Sequence, residues 1–292
     1  MEYLYEAAGL CVRCRVPFPV QTGEESLAFV RPAKGTEKSD LLLTLKEAAE
    51  LPELPQGGHW GDTSYYVRTE REQIVFRCDC VGGTAFACTI WPDGGREIQC
   101  SYLPGWEKEL CYSRNLWGVL GLERLLAWQN GLLLHASFIR WKGKGILFSA
   151  PSGTGKSTQA DLWAKYEGAE IINGDRAGLV VRNGHWTAWG LPYAGSSRIY
   201  RNEGAPVCAL VALRQAKENR LRKLNAAEAF PYFYPECSIH RWDKAEVNKS
   251  MGLLLGLLAE TPVYLLECLP DRDAVETLRR ALSPVRTERE GR

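Results

Sequence analysis

The segment Ala150-Pro-Ser-Gly-Thr-Gly-Lys-Ser-Thr158 constrains this chain more than any other. It lies between an apolar run, Ile146-Leu147-Phe148, and a stretch whose Ala160, Trp163 and Ala164 recur at helical spacing. A strand that turns through two glycines into a helix is a local architecture with few uses. Gly153 and Gly155 let the backbone curl so that successive N–H groups converge on one concavity, and the helix N-terminus adds favourable potential for an anion. The expected ligand is a nucleoside triphosphate, ATP or GTP, with Mg2+. Lys156 would meet the terminal phosphates, Ser157 would coordinate the metal, and Ser152, Thr154 and Thr158 complete the loop. The general pattern has glycine at its first position, where this chain has Ala150, so the loop entry is expected to differ. A fortuitous turn is the alternative, and the strand and helix signals on either side weigh against it.

With 292 residues, 45% hydrophobic and 24% charged, the chain is long enough for one large or two unequal folded units and is far from a disordered composition. A net charge of +1 supplies no broad basic surface, so nucleic acid is not an expected partner. No apolar run approaches a membrane span and the N-terminal residues lack the pattern of a secretion signal, which together predict a cytoplasmic protein without a membrane partner. The ten cysteines, seven of them before residue 112, are then expected as reduced thiols packed in strand-like runs. A zinc site built from Cys11, Cys14, Cys78 and Cys80 is the weaker reading, since neither pair has knuckle-like surroundings.

Residues 1–112 read as a β-rich, antiparallel module, with alternation at 65–67, 74–76, 85–90 and 98–100 and a Pro92-Asp-Gly-Gly95 turn. The proline- and glycine-rich residues 49–63 read as a loop within it. A helix capped by Ser113 and running to about Gln129 leads into the second part, residues 113–292. From Leu132 strands alternate with helices, the pattern of an α/β layer with a largely parallel sheet. Strands are expected at 207–213 and 263–268, and helices near 226–232, 244–259 and 273–282.

Two further features carry chemistry. Ala169–Arg176 reads as a short strand ending in Asp175, one helix beyond the glycine-rich loop, so that the carboxylate would face bound phosphates and hold metal or accept a proton. The residues Gly190–Asn202 are rich in glycine and hydroxyls and contain Arg198 and Arg201, suited to a loop that closes on phosphate or acceptor. His135 lies in an apolar run, where histidine is more often a satisfied core residue.

In order, these elements resemble the HPr kinase/phosphorylase family and, more distantly, phosphoenolpyruvate carboxykinases. There a strand histidine precedes a Gly-x-Ser-Gly-x-Gly-Lys-Ser loop, and a short strand ending in Asp-Asp-Arg follows. Here the counterparts are His135, Pro151–Ser157 and Gly174-Asp175-Arg176, with glycine replacing the first aspartate of the pair. The resemblance covers residues 131–215. With the β-rich N-terminal module read from its alternation, it implies an α/β fold, α+β overall, in which a P-loop kinase domain of the HPr kinase/phosphoenolpyruvate carboxykinase type follows that module. It further implies that Lys156 and Ser157 bind phosphate and metal, that Asp175 is acid/base or metal partner, and that His135 lines the site. The expected activity is transfer of the γ-phosphoryl group of ATP to a hydroxyl, by preference serine, of a protein, peptide or small molecule, with Arg198 or Arg201 helping to neutralise charge. The rivals are a nucleotide sensor or peptide-binding protein without transfer, and a carboxykinase-like enzyme.

Overall fold

The structure is a computed structural model that describes residues 1–283; residues 284–292, the tail of the expected second part, lie outside the described residues. It is a mixed α+β protein, rich in strands, with seven α-helices among the described residues.

The front half forms one nine-stranded sheet: β1 (Glu2–Ala7), β2 (Leu10–Arg15), β3 (Val30–Pro32), β4 (Leu41–Glu47), β5 (His59–Trp60), β6 (Ser64–Arg68), β7 (Glu72–Cys78), β8 (Ala85–Pro92) and β9 (Glu97–Tyr102). Their order is β3-β1-β2-β4-β9-β8-β7-β6-β5. The expected meander is present from β5 to β9, with Pro92–Gly95 turning β8 into β9. The purely antiparallel expectation is corrected, because β2–β4 and β4–β9 pair in parallel. Residues 16–40 carry the chain over to β4, and β9 returns beside it. Alternation at Leu41, Leu43 and Leu45 reports which face is buried, not which way the neighbour runs.

Cys11 and Cys14 on β2 are separated from Cys78 on β7 by β4, β9 and β8, four inter-strand steps or ~19 Å. Among the described residues no group of three or more His, Cys, Asp or Glu is placed to hold a metal ion. All ten cysteines are free, and Cys14, Cys78, Cys88, Cys100, Cys111 and Cys237 are buried.

The single helix expected over 113–129 is two, α2 (Ser113–Leu120) and α3 (Leu122–Trp128), after a short α1 (Glu107–Leu110). Gly121, at φ 65°, makes the break. Ser113 does not cap: Tyr112 holds the N-cap position, and the Ser113 hydroxyl instead accepts from the Gly23 amide at 3.4 Å. Both helices bury apolar residues against the front sheet. Leu116, Trp117, Leu120, Leu122 and Leu125 share one core with Tyr5, Val12 and Leu43, and Leu133, Val180 and Leu191 from the second half join it.

The second half contains β10 (Leu132–Trp141), β11 (Lys144–Ser149), α4 (Lys156–Glu167), β12 (Glu170–Asn173), β13 (Arg176–Arg182), β14 (His185–Gly190), β15 (Gly204–Gln215), β16 (Arg220–Leu224), α5 (Ala226–Phe233), α6 (Lys244–Glu260), β17 (Val263–Cys268) and α7 (Arg272–Leu282). The sheet order is β11-β10-β13-β14-β15-β17-β16, with β12 also on β10. Within this second sheet only β11–β15 and β15–β17 run parallel among the described pairings, so the largely parallel expectation is corrected. The hairpin β13–β14 and the strand β16 supply antiparallel neighbours. The parallel strands are covered on both faces, as such strands must be. Ile146, Phe148 and Val211 pack with Trp163 of α4 and Leu278 of α7, while Leu147, Leu210 and Leu265 pack with Phe233 of α5 and Leu257 of α6. No helix among the described residues is long and apolar enough to cross a membrane.

Candidate functional site

Strand β11 ends at Ser149, and the chain turns through residues 150–155 into α4. The turn needs glycine for conformation: Gly153 has φ 79° and Gly155, the N-cap, has φ 117°. A Cβ on either would meet nothing within 4 Å, so the space over the loop is open. The first α4 bond runs from the Gln159 amide to the Gly155 carbonyl at 2.9 Å, leaving the amides of residues 156–158 ahead of the bonded turns. These unsatisfied donors, with the helix dipole behind them, fit an anion such as a phosphate group.

Lys156 is buried, and its Nζ donates to the carbonyls of Ala150 at 2.8 Å and Pro151 at 3.4 Å. Burial pulls its pKa below the ordinary lysine value, against the opposing pull of Glu236 and Asp175. The Ser157 hydroxyl lies 3.5 Å from the Gly174 carbonyl, to which Ser137 Oγ donates at 2.7 Å. The loop is thereby tied to the bend that carries Asp175.

That bend is organised by one buried side chain. Asn173 Oδ1 accepts from the amides of Asp175 and Arg176, each at 2.9 Å, while its Nδ2 donates to the carbonyls of Leu191 at 2.9 Å and Tyr193 at 2.7 Å. The Ala136 amide donates to the Asp175 carbonyl at 2.9 Å, which sets the bend against β10.

His135, on β10, stands between two carboxylates. Its Nε2 is 3.4 Å from Asp175 Oδ1 and its Nδ1 is 2.8 Å from Glu236 Oε2. Such a position favours the doubly protonated ring. The Asp175 contact raises the histidine pKa, burial and nearby Lys156 oppose the rise, and Glu236 adds to it. Reciprocally, the His135 hydrogen bond holds the Asp175 carboxyl below its usual range, helped by Arg176, whose Nε is 3.4 Å from Oδ2. Glu236 arrives from a turn after α5. The segment pairs with β10 through a bridge between Leu134 and Cys237 and a bond from the Ser238 amide to the Leu133 carbonyl at 2.9 Å. Nothing in Tyr-Pro-Glu-Cys marks Glu236 in the sequence; only this distant pairing reveals it.

The structure thus brings together His135, Lys156, Ser157 and Asp175 of the expected residues, with Ser152, Gly153, Thr154, Gly155 and Thr158 in the loop and the first turn of α4. It does not bring Arg201 to them. Arg201 Nη1 is 3.2 Å from Glu170, at the start of β12, and Glu170 also binds Arg140 at 2.7 Å. Arg198 is exposed, at positive φ. Residues 190–202 instead pack closely on the bend, with Ser197 against Gly174 and Gly195 against Asp175. Beyond Asp175 and Arg176 opens a cavity of about 760 Å³, walled on its far side by the front sheet and by α2 and α3.

A strand-rich α+β protein whose glycine-rich turn faces a histidine held between carboxylates is the class that fold and site define. Within it, this chain belongs to the family described as SynChlorMet cassette protein ScmC, which matches residues 98–268. That span contains His135, the glycine-rich loop, Asp175 and Glu236. No curated protein matches the chain. Among solved structures it is similar to the Hpr(Ser) kinase/phosphatase from Coxiella burnetii, at 12% identity and a TM-score of 0.30, covering 51% of this chain and 92% of that one.

Proposed function

We propose that the chain is an ATP-dependent phosphotransferase acting on a hydroxyl, with residues 113–292 binding the nucleotide and residues 1–112 helping to select the acceptor. The observation that carries this reading is the joining of the glycine-rich loop to the Asp175 bend through the Gly174 carbonyl. It brings the first turn of α4 beside the bend that carries the Asp175 carboxylate.

In this reading residues 150–158 form a P-loop whose amides hold the phosphates, and Lys156 leaves its carbonyl partners to meet the terminal phosphate. Magnesium would be held by Ser157 and Asp175 together with phosphate oxygens and water, which suits a site without a larger cluster of protein ligands. When bound it would neutralise charge on the phosphates. The P–O bond to the leaving ADP breaks and a bond to the acceptor oxygen forms, while the hydroxyl proton passes to Asp175. Ionised Asp175 is the form that can accept it, and protonated His135, braced by Glu236, keeps that carboxylate ionised. His135 and Glu236 are therefore positioning residues.

The test is incubation of the protein with γ-labelled ATP and Mg2+ in lysate, followed by identification of the labelled species by mass spectrometry. Label on a serine, lost in Lys156→Ala, is expected. Firm nucleotide binding without transfer to any component would instead favour a nucleotide sensor, a reading to which the replacement of an aspartate by Gly174 gives substance.

A further inference from the structure

We infer that Ser196 is a phosphorylation site of this chain, taking the γ-phosphoryl group from ATP bound at its own glycine-rich loop; this rests on the phosphotransferase reading. Three features of residues 190–202 hold a serine beside the carboxylate that would accept its proton.

The first is a shared anchor. Asn173, which sets the Asp175 bend through Oδ1, also holds this loop: its Nδ2 donates to the Leu191 and Tyr193 carbonyls, and its backbone bridges to Tyr200. Both ends of residues 194–199 are therefore tied to the residue two positions before Asp175. The second is a close approach that glycine permits. Gly195, at φ 53°, lies so near that a Cβ would stand 3.0 Å from Asp175 Cγ and 3.1 Å from Oδ1, the oxygen that also faces His135 Nε2. The third is a pin. Ser197 packs against Gly174, and its hydroxyl donates to the Ala194 carbonyl at 2.6 Å and accepts from the Ile199 amide at 3.4 Å, which closes the turn.

Ser196 stands between the glycine and the pin. The Ser197 hydroxyl is committed to its own turn, whereas Ser196 is exposed to solvent. An exposed side chain changes rotamer within nanoseconds, so Ser196 can turn towards the site without breaking a buried contact. An alcohol must lose its proton as the new P–O bond forms, and ionised Asp175, lying against residue 195, is the base for it. Ser196 Oγ attacks the γ-phosphorus, the bond from that phosphorus to the β,γ-bridging oxygen breaks, ADP departs, and the hydroxyl proton passes to Asp175. Acceptor and donor are held by one chain, so the step is first order.

The test incubates the purified full chain alone with γ-labelled ATP and Mg2+, followed by phosphopeptide mapping at intervals. One phosphate per chain is expected on Ser196, with a rate constant that does not change when the protein is diluted a hundredfold. Ser196→Ala should lose the label, and Ser196→Thr should regain it on the new hydroxyl. Ser197→Ala, which unpins the turn but keeps the acceptor, should slow incorporation by about tenfold or more. Label elsewhere in the chain, label that survives Ser196→Ala, an unslowed Ser197→Ala, or a rate constant that rises with protein concentration would each overturn the inference. If the chain stays unlabelled while a lysate component is labelled, the inference fails and the phosphotransferase reading stands; if neither is labelled, both fail.

Discussion

Gly174 and Ser197 exclude each other's side chains: a Cβ at position 174 would stand 2.5 Å from Ser197 Cβ. The position that the motif resemblance aligns with the first aspartate of Asp-Asp-Arg therefore has no room for a side chain while residues 190–202 pack on the bend. Gly174→Asp should fail to add activity and should destabilise the protein by about 1–3 kcal/mol, as overpacking does. Thermal denaturation of Gly174→Ala alone and with Ser197→Gly checks this, because the second change should recover most of the loss. Additive losses would show that the clash is not the cause.

In the proposed reaction, Lys156 and Asp175 would separate binding from transfer. Lys156→Ala should weaken ATP binding and abolish phosphoryl transfer. Asp175→Asn should keep nucleotide affinity within a few-fold while transfer falls by about 100-fold or more, the scale of a lost general base. Equilibrium binding of a fluorescent ATP analogue, measured beside initial rates, distinguishes the two.

His135 should titrate above the ordinary histidine value of 6.5, because Asp175 and Glu236 both favour its charged form. Glu236→Gln should lower that pKa and, through the weakened imidazolium, allow Asp175 to protonate at higher pH. The acid limb of the activity profile then moves towards neutrality. NMR titration of the four histidines in both proteins is the measurement. An unmoved His135 resonance in the variant would sever Glu236 from the site.

The two halves meet at a titratable cluster. His240 Nδ1 is 2.9 Å from Glu246 and its Nε2 is 3.6 Å from Glu123, while the ring lies against Tyr66. Burial would lower the His240 pKa, but the bonds to Glu123 and Glu246 outweigh it and lift the value to about 9 from 6.5. Burial would raise Glu123, but His240 and Arg124 bring it down to about 2 from 4.5. The stability His240 contributes is complete below pH 6.5 and lost as pH rises through 9. That of Glu123 is complete above pH 4.5 and lost as pH falls through 2. Urea midpoints should therefore be highest between these limits, and Glu246→Gln should bring the alkaline loss to lower pH.

Asp243 has two duties on opposite oxygens. Oδ1 caps α6 by accepting from the amides of Ala245 at 3.0 Å and Glu246 at 3.2 Å, and Oδ2 takes Arg68 Nε of the front sheet at 2.8 Å. Asp243→Ala should cost about 1–2 kcal/mol through the lost cap, Arg68 keeping Asp93 as a partner at 2.7 Å, whereas Arg68→Ala should cost more because it leaves the buried Asp243 carboxylate without its cation. Chemical denaturation of both variants gives the comparison.

Much of this was legible in the chain, and the failures have particular causes. The turn at 150–155, the strand at 263–268 and the helix beyond 272 follow from glycine placement and apolar spacing that act locally. The hairpin β13–β14 turns on Asn183-Gly184, both at positive φ, yet an expectation of alternating strands and helices passes over this strong local signal. Parallel pairing of β4 with β2 and β9 leaves no mark on alternation. Glu236 reaches His135 across 101 positions through a short bridge. Arg201, conspicuous in a hydroxyl-rich loop, is held by Glu170.

The core that joins Trp117 to Tyr5 on one side and to Leu133, Val180 and Leu191 on the other has a consequence for synthesis on the ribosome. The front sheet emerges first with one face bare, and neither α2 nor α3 can cover it until both have cleared the exit tunnel. The last buried contributor to that interior is Leu191, with Tyr193 and Tyr200 packed against it, so the nascent chain must keep a sticky, half-finished sheet in solution until that part of the second half has been made. A cell producing this protein would be expected to shield that intermediate, and expression of the first 112 residues alone should yield aggregates.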